Sequence, residues 1–157
     1  MKSGAMLLLV VTACGSAAME GPTPQAPVMV RVSLGRVYGY IATAAAFDSD
    51  AEHWTPTLQD VRVFEGGLTE YLRTTRPPEE PDLYRIVPDY KRQYEGLILD
   101  GRRVLSVFFR CPRDAEDDDS EWSKHPMMVS DGGKCYFDVR FDIVTREYSH
   151  LMFNGEA

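Results

Sequence analysis

Apolar and polar residues alternate over positions 28–34, with Val28, Val30, Val32 and Leu34 on one side. That period of two predicts a short strand. Residues 37–47 are apolar and Ala-rich, and their pattern suits helix and strand equally. Thr55-Pro56-Thr57 then opens a helix. Proline suits a first-turn position, and Thr with nearby Asp60 can serve the free amides. Leu58, Val61, Phe64, Leu68, Tyr71 and Leu72 recur at helical spacing. Gly66-Gly67 weakens the middle of this helix by about 1 kcal/mol per glycine relative to alanine. Arg76-Pro77-Pro78 stops it, and residues 77–88 form a proline-rich link within the domain.

The remainder reads as antiparallel sheet. Segments 94–99 and 104–110 flank Asp100-Gly101, a strong hairpin signal. Leu105, Val107, Phe109 and Cys111 share one face. Cys135, Phe137, Val139 and Phe141 share another, with Tyr136, Asp138, Arg140 and Asp142 opposite. A turn over 142–146 leads to a last strand at 148–153. Helix first and sheet after predict an α+β fold. An N-terminal helix would pack on a mainly antiparallel sheet of about four strands, with one disulfide.

Another apolar run occupies the amino end, where Met6-Leu7-Leu8-Leu9-Val10-Val11 lies behind Lys2 and ahead of Thr12-Ala13-Cys14. A short positive start, an apolar core and small residues before a cysteine read as a bacterial lipobox. The run is too short to span a bilayer, which takes about 20 residues. An ordinary secretory signal cut near Ala17 or Ala18 is the alternative. The expected organisation is a leader at 1–13, a tether at 14–27 carrying Pro22, Pro24 and Pro27, and a single domain at 28–157. Lipid on Cys14 would anchor the protein to a membrane of the bacterial cell envelope. Gly15 in place of an inner-membrane Asp signal favours the outer one. Fully extended, the tether would hold the domain roughly 40 Å off the bilayer.

Charge narrows the partners. The chain has 24 acidic residues against 17 basic ones, a net charge of −7, and losing Lys2 with the leader makes it −8. That excludes a broad basic footprint for nucleic acid. The cysteines fit the exported reading. With Cys14 lipidated, Cys111 and Cys135 remain as an even pair in an oxidising compartment, so a disulfide is expected. Closing its loop of about 25 residues is worth roughly 3–4 kcal/mol.

From Tyr90 onward the chain resembles a group of small bacterial lipoproteins without an assigned activity. The residues that carry the resemblance are Tyr90, Arg92, Gln93, Tyr94 and Gly96; Asp100 and Gly101; Cys111; Asp131, Gly132, Gly133, Cys135 and Phe137; and Asn154, Gly155 and Ala157. It covers under half of the chain. It implies a small exported domain and transfers no functional residue.

Candidate chemistry is sparse. The acidic run Asp114, Glu116, Asp117, Asp118, Asp119 and Glu121 fails as a calcium loop. Counted from Asp114, the sixth and twelfth positions hold Asp119 and His125 where glycine and glutamate are needed. It reads as a solvated loop. His53, His125 and His150 make no metal-ligand pattern, so no metal or cofactor is expected. Asp131-Gly132-Gly133 lacks the Lys-Ser or Lys-Thr of a phosphate cradle and reads as a turn. Arg92, Gln93 and Tyr94 form a polar cluster that could line a groove. The plainer alternative pairs Arg92 with a carboxylate and gives Gln93 to backbone groups. Two functions stay open. One is a noncatalytic domain that binds an envelope protein or cell-wall component. The other is an envelope hydrolase assembled from distant residues, such as Asp131 and His150.

Overall fold

The computed structural model describes residues 28–47, 50–112 and 119–155, with the side chain of residue 119 left out. Seven strands form one mixed sheet: β1 (Met29–Leu34), β2 (Val37–Ala42), β3 (His53–Trp54), β4 (Lys91–Leu99), β5 (Arg102–Arg110), β6 (Tyr136–Asp142) and β7 (Tyr148–Phe153). The spatial order is β1-β2-β4-β5-β6-β7, with β3 also against β4. The 18-residue helix α1 (Leu58–Thr75) sits between strands in the chain. The other α-helical pieces, α2 (Leu83–Ile86) and α3 (Asp119–Trp122), have four residues each. Among the described residues no helix is long and apolar enough to cross a membrane.

This corrects the expected α+β domain with a helix ahead of about four mainly antiparallel strands. Three strands precede α1, and the chain is mostly sheet. The missed strands have physical reasons. β2 is buried over its last four residues, so its sequence shows no alternation. β3 has two residues, too few to show a period. β2 and β4 pair in parallel, Tyr38–Ile41 against Lys91–Tyr94, which requires a long crossover. The segment containing α1 is that crossover. The other half of the same edge of β4 takes β3 antiparallel, His53 opposite Leu97 and Trp54 opposite Gly96.

Local expectations from the sequence hold elsewhere. β4 and β5 join through Asp100-Gly101, both with positive φ (51° and 73°), as a tight primed turn needs. Thr57 caps α1. Its Oγ1 accepts from the Asp60 amide at 3.2 Å, and Asp60 Oδ2 accepts from the Thr57 amide at 2.8 Å. Val61, Phe64, Leu68 and Leu72 are the buried stripe of α1, and each contributes roughly 1.5–3 kcal/mol. They pack on one sheet face, against Tyr94, Leu105, Val107, Phe109, Phe137, Val139 and Phe141.

Gly67 has a specific purpose in that helix. A Cβ there would stand 2.7 Å from the Tyr148 hydroxyl oxygen. Its absence lets Tyr148 lie across α1, stacked 4.8 Å from Tyr71 and bonded through its hydroxyl to the Phe64 carbonyl. The opposite sheet face carries a smaller cluster, in which Met29, Tyr40, Ala42 and Trp122 are buried and Phe108 packs against them.

Candidate functional site

The end of the sheet where β5 stops and β6 starts holds the Cys111–Cys135 disulfide, with the two Cα atoms 4.8 Å apart. The bridge joins facing positions at the end of a ladder in which Arg110 opposes Tyr136, and the Cys111 amide donates to the Cys135 carbonyl at 2.8 Å. Both cysteines project to the face of Phe109 and Phe137, as the sequence pattern requires.

Beside the bridge lies a cavity of about 620 Å³. One wall is Glu80, Ile86, Asp89 and Tyr90, from the link between α1 and β4. The other is Cys111 and Pro112 with the turn Asp131, Gly132, Gly133, Lys134 and Cys135. Several contacts hold the walls. The Tyr90 hydroxyl donates to the Lys134 carbonyl at 3.3 Å, and its ring meets Phe137 edge-on at 5.3 Å. Lys134 Nζ pairs with Glu80 Oε2 at 2.9 Å, and Arg36 pairs with Asp89. Gly132 and Gly133 both have positive φ, so the turn needs residues without Cβ strain. The carboxy-terminal segment braces it. The Gly133 amide donates to the Gly155 carbonyl at 3.0 Å, and Asn154 Nδ2 donates to the Asp131 carbonyl at 3.2 Å and to the Val129 carbonyl.

Arg92, Gln93 and Tyr94 stand behind this cavity and do not line it. Consecutive strand residues point to opposite faces. Arg92 and Tyr94 therefore meet under α1, and Gln93 faces away. Arg92 is 1% exposed. Its Nε lies 2.8 Å from Glu65 Oε1, an ion pair outside hydrogen-bond alignment. Its Nη2 donates to the Val87 carbonyl at 2.8 Å, and Nη1 donates to the Tyr90 carbonyl. Tyr94 donates to Glu65 Oε1 at 2.8 Å. Arg92 thereby ties α1 to the turn that supplies Asp89 and Tyr90 to the cavity wall. Burial raises the Glu65 carboxyl above its ordinary range, and the Arg92 charge opposes that shift. Burial, aided by the Glu65 charge, likewise raises the Tyr94 and Tyr148 hydroxyls.

Gln93 uses its whole amide on the second face. Nε2 donates to the Trp122 and His125 carbonyls, each at 2.9 Å, and Oε1 accepts from the Met127 amide at 2.8 Å. It pins segment 122–127 to the sheet, where Trp122 stacks 5.9 Å from Phe108.

The distant pair named from the sequence is not brought together. Asp131 is at the cavity, whereas His150 has Nε2 3.2 Å from Asp138 Oδ2. His150 sits at φ 54°, beside an irregularity in the β6–β7 register. Burial raises the Asp138 carboxyl, and the His150 and Arg140 charges oppose the shift. His53 is near Glu95, Nδ1 to Oε1 at 3.2 Å, and stacks on Phe47 at 4.0 Å. Among the described residues no group of three or more His, Cys, Asp or Glu is placed to hold a metal. Cys14 and residues 114–118 of the acidic run lie outside the described residues. Glu121, at the end of that run, pairs with Lys124 at 3.5 Å.

Sequence reasoning missed Glu65, Glu80 and Lys134. For Glu65 a signal existed: it lies four residues after Val61 and three before Leu68, so an acid falls on the apolar stripe of the helix. No protein-family description, curated protein or solved structure matches this chain.

Proposed function

We propose that this chain is an envelope lipoprotein, held to a membrane by lipid on Cys14, whose domain is a noncatalytic module that binds an envelope protein or cell-wall component. The cavity beside the disulfide carries this reading. It has the size of a small binding site, for which roughly 300–1,000 Å³ is usual. Its walls come from three separate stretches of chain, fixed by the Cys111–Cys135 bridge, the Arg92 anchor and the Asn154 brace. A cavity held this way pays little ordering cost on binding.

Two experiments test it. Intact mass of the membrane-extracted protein is expected to show diacylglycerol on a chain that starts at Cys14, and a soluble chain starting near Ala18 sinks the anchoring. A photo-crosslinker at Ile86, on the cavity wall, is expected to capture a defined partner in native envelopes. The same crosslinker at Val144, exposed on the β6–β7 turn, is expected not to capture it. Equal capture from both positions removes the cavity from the reading.

A second reading, an envelope hydrolase, is favoured by one observation: His150 is held in a left-handed conformation against Asp138. If a hydrolytic activity is found and His150→Ala abolishes it in a folded protein, that reading takes over.

A further inference from the structure

We infer that the occupant of the cavity is a cationic peptide segment, placing a bulky apolar side chain on the disulfide floor and an adjoining lysine or arginine on Asp131. This rests on the binding reading above and adds the chemistry of the ligand.

The apolar half follows from the walls. The disulfide, the Tyr90 ring and Pro112 present apolar surface, and Ile86 remains 41% exposed at the wall. A side chain that covers Ile86 gains from the water it displaces. The cationic half follows from charge accounting. Among the described residues, Glu80, Asp89 and Asp131 line the cavity against a single lining cation, Lys134. Lys134 is already engaged by Glu80 at 2.9 Å, and Asp89 is engaged by Arg36. The Asp131 carboxylate has no partner among the described residues, although the backbone carbonyl of the same residue is held by Asn154. An exposed, unpaired carboxylate on a braced turn beside an apolar floor selects an apolar group with a positive neighbour. An anionic ligand would face three carboxylates and a lysine that is already paired. The net charge of −7 draws a basic segment in the same direction. The cavity admits side chains and not a folded domain, so the partner offers an exposed loop or terminus.

The test uses the mature full-length chain and three capped tetrapeptides that differ at one position: Gly-Phe-Lys-Gly, Gly-Phe-norleucine-Gly and Gly-Phe-Glu-Gly. Binding is read from the amide resonances of Gly132, Gly133 and Lys134. The lysine peptide is expected to bind about fivefold tighter than the norleucine peptide at low salt. The glutamate peptide should be weakest, and the lysine preference should shrink as salt rises. Asp131→Asn is expected to abolish the lysine preference, so that the lysine and norleucine peptides bind alike. Ile86→Ser is expected to weaken all three peptides by a similar factor, since it removes apolar surface and no charge. Equal binding of lysine and norleucine peptides, or a preference that survives Asp131→Asn, overturns the inference and leaves the cavity as a binding site. If none of the three peptides moves those resonances, the peptide inference fails, while the crosslinking from Ile86 and Val144 decides separately whether the cavity binds.

Discussion

The two faces of the central sheet solve the same problem with different chemistry. Both must attach an external segment, and both use a buried polar residue of β4 to do it. Under α1, Arg92 pairs with Glu65 and reaches the carbonyls of Val87 and Tyr90. One residue later, on the other face, Gln93 holds the Trp122, His125 and Met127 backbone with a neutral amide. The charged anchor is set in the main core, beside Phe109 at 5.1 Å from its ring. The neutral anchor fastens a short segment over the smaller cluster. Removing a buried charge's partner leaves an uncompensated ion, whereas removing an amide frees backbone groups that water can reach. The helix-covered face is therefore expected to fail globally, and the other face locally.

The largest effect is expected from Glu65→Ala. It leaves Arg92 buried without its carboxylate and should cost about 3–5 kcal/mol, read as a lowered denaturant midpoint. Arg92→Met in the same background is expected to recover part of that loss, because it removes the stranded charge. If Glu65→Ala costs no more than a surface change, the ion pair is not the anchor of this face.

Gln93→Leu comes next, at about 1–3 kcal/mol, from three backbone groups losing their partner. Hydrogen exchange should rise over 122–127 while the amides of α1 keep their protection. Loss of protection in both regions together would erase the contrast between the faces.

Gly67→Ala pits helix propensity against packing. Alanine gains about 1 kcal/mol in a helix, but its methyl meets the Tyr148 hydroxyl at 2.7 Å. Tyr148 is wedged among Phe64, Tyr71 and Phe141 and cannot swing aside freely. A net loss of about 1–2 kcal/mol is expected in thermal melts. Gly66→Ala, where a Cβ meets nothing within 4 Å, should stabilise instead.

The smallest effect concerns pH. The folded state raises the Glu65 carboxyl above its ordinary value of 4.5, so the native state holds that proton more tightly than the unfolded one. Stability should therefore fall as pH rises from the ordinary glutamate value through the raised one. Below that window Glu65 adds no slope. Glu65→Gln should remove this falling contribution. An identical pH profile for the variant and the parent would show that Glu65 does not titrate differently on folding.

Much of the local structure was legible in the sequence. The Thr57–Asp60 cap and the helix stop before Pro77 depend on neighbouring residues and were readable, whereas Pro56, expected in the first turn, lies ahead of the cap. So were the Asp100-Gly101 hairpin and the cysteine faces. Arg92 and Gln93 could be read as polar residues in need of partners, but not which partners: Glu65 is 27 positions from Arg92, and Trp122 is 29 from Gln93. The cavity was illegible because its walls are assembled from residues 80–90, 111–112 and 131–135.

By itself the sequence determined turns, caps and strand faces, because each depends on geometry repeated within two to four residues. It also determined the cysteine pair, since Cys111 and Cys135 continue the apolar faces of the strands they flank. Only the tertiary structure decided that β2 runs parallel to β4, that β3 fills the rest of that edge, and that Asp131 lies beside the disulfide while His150 pairs with Asp138. Those outcomes depend on sheet order and register. Burial of the whole core selects them, and no short stretch of the chain encodes them.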